Sequence, residues 1–364
     1  MDFFDRDITA FFETLQKTNR ERQLEVAAPG SIDLCSNDYL CLSRHPALVT
    51  ALKEGIDRYG AGSTASRLIR GHRDVFDALE TKFAAWVGAE AALFFANGYA
   101  ANVGCLSAIC DASYDVFIDR LAHASLVDGV RLSGARKVYF RHNDLVHLGE
   151  LLAKSKAKKK LIVTESLFSM DGDRAPLADI AALKEKYGAL LYADDAHAIG
   201  VYGETGGGLA GPECDFRVAT LGKALGLEGA LIAASSRARK FLLHNARTFV
   251  FSTAPLPAVA YAALTAIELA QRMQQERAHI AALAMALRKA VASSGFSTGT
   301  STSHIVPVLC GSETEALNLA ARMQQAGLHI KAIRPPTVKE SRLRISLNAG
   351  ITSDILKKIA GLLS

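Results

Sequence analysis

The chain has 364 residues, of which 49% are hydrophobic and 22% charged, and its formal net charge is +5. This composition is typical of a folded globular protein and excludes disordered and collagen-like chains. No apolar stretch reaches the roughly eighteen residues that a membrane helix needs, so we expect no membrane span. Basic residues occur mostly among acidic ones, which argues against a nucleic-acid partner.

The N-terminal residues and the cysteines indicate the compartment. The chain begins MDFFDRD, with acids where a secretory signal needs bases followed by an apolar stretch. The spacings of Cys35 with Cys41 and of Cys105 with Cys110 do not suit a zinc knuckle. We therefore expect six reduced thiols, no bound metal and a cytoplasmic location.

The first elements in chain order are a helix and a short strand. Residues 8–24 form an amphipathic pattern with Phe11, Leu15 and Leu24 on one side. Residues 32–35 read as a strand, and residues 59–63 (YGAGS) as a glycine-rich turn.

Short apolar runs then alternate with helical stretches, a pattern typical of βαβ units and a mainly parallel sheet buried on both faces. The runs are residues 92–95, 115–118, 137–140, 161–164, 189–193 and 230–233. Most polar motifs follow these runs directly. Because ligands of open α/β sheets bind at the carboxyl ends of the strands, we expect the site there.

The C-terminal part differs in its pattern. One long Ala/Leu-rich helix is predicted from Pro257 to about Ala292, and residues 303–364 have a β-α-β-β-α pattern. We therefore expect an N-terminal arm over residues 1–44, a large domain over 45–270, and a small α+β domain over 271–364.

The most informative motif surrounds Lys223, whose neighbours Gly222, Ala224 and Gly226 are too small to shield its amine. Lysine forms a Schiff base with carbonyls where the neutral amine is favoured. Upstream, Asp194 and His197 supply a carboxylate and an imidazole. Together they suggest a pyridoxal-phosphate site, with Lys223 on the aldehyde, Asp194 on the ring nitrogen and His197 near the phenolic oxygen. Either motif alone would indicate a surface lysine or a structural histidine.

Three further motifs follow strands and fit the same cofactor. Gly98 opens a probable helix over residues 100–110, whose N-terminus suits a phosphate, although the segment is also compatible with an ordinary strand-to-helix turn. His123 could stack on a pyridine ring, or be a structural histidine. The Ser169 hydroxyl could bond the phenolic oxygen.

Two phosphate motifs compete with this interpretation. Residues 206–211 satisfy G-x-G-x-x-G, but Pro212 and the acids after it spoil the helix that a dinucleotide site requires. Gly222-Lys223 lacks the earlier glycine of a P-loop, because Arg217 stands there. Farther on, Arg334 and Arg344 offer guanidinium forks that suit a carboxylate.

In these motifs the chain resembles the α-oxoamine synthases, fold-type-I pyridoxal-phosphate enzymes that condense an amino acid with an acyl thioester and release carbon dioxide. The resemblance extends over nearly the whole chain. It is carried by ASRLI at 65–69, DRLAHAS at 119–125, FSMDGD at 168–173, DDAH at 194–197 and TLGKALG at 220–226. It implies an α/β fold with a mainly parallel sheet between helices and a small C-terminal domain. Residues 332–338 are most similar to members that join L-alanine to a pimeloyl thioester on coenzyme A or an acyl carrier protein.

The resemblance also implies roles for individual residues. Lys223, His123 and Asp194 are the implied catalytic residues. Cofactor contacts are implied for Gly98, Tyr99, His123, Ser169, Asp194, His197, Thr220 and Lys223, and substrate contacts for Arg20, Asn37, His123, Arg334, Thr337 and Arg344. Ser252 and Thr253 would reach the phosphate of a neighbouring subunit, which implies a homodimer.

Three positions depart from the family pattern: Gly207 replaces a basic residue, Leu227-Glu228 replaces a small pair, and residues 349–351 lack a histidine. These departures leave two alternatives open, a sister synthase that uses glycine or a long acyl chain, and a cofactor-binding protein without catalysis. A dehydrogenase is a more remote alternative.

Overall fold

A computed structural model describes residues 2–17, 21 and 24–363. A seven-stranded sheet forms its centre, in the order β2-β8-β7-β6-β5-β3-β4. The strands are β2 (Ala91–Phe95), β3 (Tyr114–Asp119), β4 (Arg136–Phe140), β5 (Lys159–Glu165), β6 (Leu190–Asp194), β7 (Phe216–Thr220) and β8 (Ala230–Ala234). Only β8 runs opposite to the other six strands of this sheet, so the predicted mainly parallel sheet is confirmed.

Helices cover both faces of this sheet because its strands alternate apolar side chains between the faces. One face packs against α2 (Pro46–Tyr59), α3 (Asp74–Val87) and α10 (Pro257–Arg272). The other carries α4 (Gly98–Ile109), α5 (Ala124–Ser133), α8 (Ser236–Asn245) and α9 (Arg247–Val250). Near β4, α6 (Leu145–Lys154) and α7 (Leu177–Tyr187) enclose a third apolar cluster.

The C-terminal part builds a second, smaller sheet in the order β11-β12-β9. The elements of this C-terminal part are α11 (Gln274–Ser293), β9 (Ile305–Leu309), α12 (Glu313–Gln325), β10 (Leu328–His329), β11 (Ala332–Ile333), β12 (Arg342–Ser346) and α13 (Ser353–Leu363). This matches the predicted pattern with one additional short strand. The early strand β1 (Ile32–Asp33) pairs with β10, so the N-terminal segment is attached to the last part of the chain. The three-part domain division stays a prediction.

Two helix predictions were wrong in their bounds. The first helix, α1, covers Phe3–Lys17, so it begins earlier than residue 8, and Leu24 is fully exposed non-helical chain. The helix predicted over residues 257–292 is two helices that break at Met273. There the buried Arg277 guanidinium donates to the Ala270 carbonyl, which satisfies the end of α10.

The competing dinucleotide motif also lacks the required structure. Residues 206–211 are followed by turns and then β7, with no helix between Pro212 and that strand.

In the part of the chain that the structure describes, no helix is long and apolar enough to cross a membrane.

Candidate active site

The predicted site residues meet at the carboxyl edge of the large sheet. Asp194 ends β6, His197 follows it, and Lys223 lies in the connection between β7 and β8. That connection is closed by hydrogen bonds from the Leu221 N–H to the Gly229 carbonyl and from the Gly226 N–H to the Lys223 carbonyl, both of 2.9 Å. The lysine therefore occupies a short, tightly bonded hairpin loop.

Asp194 is only 6% exposed, and its carboxylate is held by two donors. Asn102, from the interior of α4, donates through Nδ2 to Asp194 Oδ2 at 2.7 Å. The Ala196 N–H donates to Oδ1 at 3.0 Å. A buried carboxylate fixed in this way can face a cationic ring nitrogen without rotating.

Lys223 and His197 form the centre of the site. Lys223 Nζ lies 2.9 Å from His197 Nε2. Burial lowers the pKa of Lys223 below that of an ordinary lysine, with the Asp194 and Glu165 charges opposing the shift and Arg344 adding to it. Burial also lowers the pKa of His197 well below its usual value, and the Lys223 and Arg344 charges act in the same direction. His197 is thus a neutral imidazole beside an amine with weakened basicity.

A chain of hydrogen bonds determines which nitrogen of His197 carries the proton. Arg344 donates from Nη2 to Asn37 Oδ1 at 3.1 Å, and because Arg344 can only donate, the Asn37 atom facing it must be the oxygen. Tyr39 therefore donates its hydroxyl to Asn37 Oδ1, at 2.9 Å. The same hydroxyl lies 2.7 Å from His197 Nδ1, so it accepts the Nδ1 proton. This leaves the Nε2 lone pair to accept from Lys223.

His123 lies at the start of α5, where its Nδ1 accepts from the Ser125 N–H at 3.3 Å. Its backbone N–H donates to Glu165 Oε1 at 2.7 Å. Although the residue is exposed, desolvation lowers the pKa of its imidazole, with Asp194 opposing and Lys223 adding to the shift. A neutral, solvent-facing ring at the sheet edge is available to stack on a ligand.

Three residues of the site are missing from the sequence predictions. Asn102 anchors Asp194, and Tyr39 orients His197. Glu165 pairs in register with Asp194 on the neighbouring strand, and burial together with the Asp194 charge raises the pKa of Glu165 well above its usual value. Asn102 and Glu165 each had a signal in the sequence, since a polar residue inside an apolar helix or strand requires a buried partner, whereas Tyr39 lies in a turn and had none.

The phosphate side of the site is formed by the start of α4. Asn97 caps this helix by accepting from the Ala100 N–H at 2.8 Å, and the N–H groups of Gly98 and Tyr99 lack partners within the helix. The Tyr99 hydroxyl donates to Asp128, so its backbone rather than its side chain is oriented for an anion. Thr220 Oγ1 donates to the Gly229 carbonyl and accepts from the Gly222 N–H, both at 3.1 Å.

Arg344 and Ser169 join the site from the small sheet and the loop after β5. Arg344 is 7% exposed and donates from Nε to the Ser169 carbonyl. Its third donor, Nη1, bonds Ser346 Oγ at 2.6 Å. The Ser169 segment is therefore attached to the same guanidinium that holds Asn37.

The remaining predicted residues lie elsewhere or outside the described part. Arg334 pairs with Glu313 at 3.6 Å, and the Thr337 N–H donates to the Arg334 carbonyl at 3.1 Å. Ser252 Oγ donates to the Thr253 carbonyl at 3.2 Å, in the loop before α10. The roles of these residues stay predictions. Arg20 lies outside the described residues.

The donor set fits pyridoxal phosphate. It combines a fixed buried carboxylate (Asp194) with a lysine of lowered pKa (Lys223), an exposed imidazole (His123) and a helix N-terminus at Gly98. These groups match the ring nitrogen, aldehyde, ring face and phosphate of that cofactor.

Comparison with known proteins agrees with this geometry. Residues 29–363 match the family model of aminotransferase class I and II. A curated 8-amino-7-oxononanoate synthase of Anaeromyxobacter sp. (strain K) is 43% identical over 360 residues, which cover 94% of this chain and 90% of the relative. The chain belongs to the α-oxoamine synthases of this aminotransferase family. The predicted resemblance is thereby confirmed.

Solved structures agree with this assignment to the α-oxoamine synthases. Serine palmitoyltransferase of S. paucimobilis with bound PLP-myriocin aldimine has a TM-score of 0.91 and 26% identity, covering 100% of this chain and 98% of that one. An 8-amino-7-oxononanoate synthase of Francisella tularensis has a TM-score of 0.81 and 26% identity, covering 92% of this chain and 97% of that one. The predicted fold-type-I α/β architecture is confirmed.

Proposed function

We propose that this α-oxoamine synthase condenses L-alanine with a pimeloyl thioester to give 8-amino-7-oxononanoate and carbon dioxide, a step of biotin synthesis. The observation that carries the chemistry is the contact of Lys223 Nζ with the acceptor Nε2 of His197, beside the anchored Asp194 carboxylate. The identity of the product rests on the curated relatives of that name.

Pyridoxal phosphate, when bound, supplies an electron sink for the carbanion at the amino-acid α-carbon. Asp194 would keep the proton on the ring nitrogen. Two opposite charges at about 3 Å attract by roughly 5 kcal/mol in an effective dielectric near 20, before desolvation is subtracted. Burial lowers the pKa of Lys223, which favours the neutral amine that would take the α-proton. A substrate carboxylate would have to displace Asn37 or Ser346 from Arg344, or Glu313 from Arg334, to be bound by either guanidinium.

The experiment is an end-point assay of the cofactor-loaded protein with L-alanine, glycine and L-serine against pimeloyl-coenzyme A and pimeloyl-carrier protein. We expect L-alanine to be preferred, with release of carbon dioxide. A preference for glycine, or for a long acyl chain, would assign the chain to a sister synthase. Cofactor binding without turnover of any pair would identify a binding protein.

We also propose that the site is shared within a homodimer, through Ser252 and Thr253 of one subunit and the phosphate bound by the other. The loop before α10 is bonded to the ASRLI segment, where the Ala254 N–H donates to the Ala65 carbonyl at 3.0 Å. Leu68, Ile69 and Phe251 around it are 46%, 82% and 72% exposed. Such a cluster of large apolar side chains is typical of an interface.

Subunit mixing tests this arrangement. A heterodimer of Lys223→Ala with Ser252→Ala/Thr253→Ala has one doubly damaged site and one intact site if the hydroxyls cross the interface. It should recover up to half the activity per dimer, although each parent is impaired. Native mass spectrometry of the mixture, with one variant isotope-labelled, is the control for exchange. No recovery despite exchange would place the hydroxyls in their own subunit's site or outside it.

A further inference from the structure

His142 lies between two carboxylates, one at the end of β3 and one in the loop after β5. Its Nδ1 is 2.9 Å from Asp119 Oδ1, and its Nε2 is 2.7 Å from Asp173 Oδ2. Asp119 is completely buried and Asp173 is 6% exposed. Because ionised carboxylates can only accept, both ring nitrogens must donate, and the ring is a doubly protonated imidazolium.

The electrostatic surroundings agree with this charge state. Burial alone would lower the pKa of His142, but the hydrogen bonds and charges of Asp119 and Asp173 raise it to about 10. Asp119 faces the ring from the end of β3, and Asp173 from the loop after β5. The ring also packs edge-on against Phe168, with centroids 4.4 Å apart.

Each carboxylate is part of a segment that leads to the site. Asp119 Oδ1 also accepts from the Leu121 N–H at 2.8 Å, which fixes the chain that enters His123 two residues later. The Asp173 carbonyl accepts from the Phe168 N–H at 3.0 Å, which closes the loop that carries Ser169. His142 thus connects two loops that each present a side chain to the sheet edge.

The Ser169 loop is held on its other side by arginines of the small sheet. Arg342 donates to Asp171 Oδ1 at 2.8 Å, and Arg344 donates to the Ser169 carbonyl. With His142 in place the loop is attached from two directions. Without the imidazolium, two nearly buried carboxylates would face each other and repel.

We propose that His142 is a positioning residue that fixes the spacing between the His123 loop and the Ser169 loop. The role of these loops in binding the cofactor rests on the proposed function. The imidazolium bridge itself does not, because it is a property of the cofactor-free protein. A glutamine at this position can donate from only one end. It therefore cannot reproduce the bridge.

Three variants test the bridge. His142→Gln removes it, and His142→Gln/Asp173→Asn also removes a carboxylate that has lost its charged partner and keeps the Asn143 amide, whose Nδ2 donates to Asp173 Oδ2 at 3.1 Å. His147→Gln is the matched control, because His147 lies in the next helix and accepts from the Arg141 N–H at 2.9 Å, a contact with neither carboxylate. Nitrogen-15 NMR of histidine-labelled, cofactor-free protein at about pH 8 measures the protonation state.

We expect one histidine signal with both ring nitrogens protonated, lost in His142→Gln and kept in His147→Gln. The double variant should regain the melting temperature of the wild type. It should nevertheless bind pyridoxal phosphate about tenfold more weakly. Its turnover should also be slower, because a misplacement near 1 Å can cost about a hundredfold in rate. Full recovery of affinity and turnover in the double variant would reduce His142 to a purely structural role and overturn the proposal. Absence of the doubly protonated signal would overturn it as well.

The cofactor affinity separates this proposal from the proposed function. If the wild type binds pyridoxal phosphate but does not condense L-alanine with any pimeloyl thioester, the proposed function fails. In that case the loss of affinity in the double variant, measured by absorbance, still decides whether His142 positions the two loops.

Discussion

Asn102 offers the sharpest test of how the site is built, because one side chain satisfies three groups. It is 1% exposed, and its Nδ2 donates to Asp194 at 2.7 Å and to Ser125 Oγ at 2.9 Å. Its Oδ1 accepts the Tyr192 hydroxyl at 2.8 Å. In Asn102→Leu, which has a similar volume, all three bonds are lost.

The expected loss of stability follows from two of these hydrogen bonds, the one to the Asp194 carboxylate and the one from the Tyr192 hydroxyl. A hydrogen bond to a charged group contributes about 1.5–3 kcal/mol, and a buried hydroxyl without a good acceptor costs about 1–3 kcal/mol. Among the described residues, Tyr192 would then have the Cys105 thiol, a weak acceptor, as its side-chain partner. The sum is about 4 kcal/mol. For 364 residues, an unfolding entropy of about 2.1 cal/mol/K per residue converts this into a melting temperature lower by about 5 °C.

Thermal unfolding of the cofactor-free protein measures how far Asn102→Leu lowers the melting temperature. A double-mutant cycle with Tyr192→Phe shows how much of this change comes from the unpaired Tyr192 hydroxyl. Phenylalanine should destabilise the wild type, but it should be neutral or stabilising in the Asn102→Leu background, because it removes the hydroxyl left unpaired there. Asn245→Leu is the control, since Asn245 is exposed and its side chain donates to the Phe241 carbonyl of its own helix. An Asn102→Leu shift below about 1 °C, or equal effects of Tyr192→Phe in both backgrounds, would refute the reasoning.

Three further outcomes are expected. Lys223→Ala should abolish borohydride-fixed attachment of the cofactor, measured by mass spectrometry, and a fixed adduct in this variant would show that another lysine is used. Asp194→Asn should still bind the cofactor but lose several orders of magnitude in kcat, each factor of ten being about 1.36 kcal/mol. Near-normal turnover would show that another group keeps the ring nitrogen protonated. His142 has a folded-state pKa of about 10, above its usual value, so its stabilisation is complete below about pH 6.5 and is lost as the pH rises through 10. The melting temperature should therefore fall more steeply toward pH 10 in the wild type than in His142→Gln, and parallel curves would contradict this.

The central sheet could be predicted from the sequence because its strands are apolar runs covered on both faces. The strand β7 was missed because Arg217 interrupts its apolar pattern. In the structure this arginine is buried, and its guanidinium donates to the backbone carbonyls of Val87 and Gly207. The break at Met273 had no glycine or proline to indicate it. It depends on Arg277, which donates to the Ala270 carbonyl at the end of α10 and to the Glu204 carbonyl of a distant loop at 3.0 Å.

The site was predictable where chemistry restricts the residue type, as at Lys223, Asp194 and His197. The supporting groups were harder to find because their roles depend on three-dimensional neighbours. Tyr39 is separated from His197 by 158 residues, and no local sequence pattern indicates that contact. The register that places Glu165 beside Asp194 is likewise a property of the assembled sheet.

The attachment of the N-terminal segment to the end of the chain has a consequence for biosynthesis. Asn37 meets Arg344 across 307 residues, and the Tyr39 carbonyl accepts from the Ala349 N–H at 2.9 Å. At about 5–20 residues per second, a ribosome needs about 15–60 s to make the intervening chain. During that interval the large sheet can form, but the Arg344–Asn37–Tyr39 chain that orients His197 cannot. Premature termination before β12 would thus leave a nascent protein with its lysine in place and its imidazole unoriented.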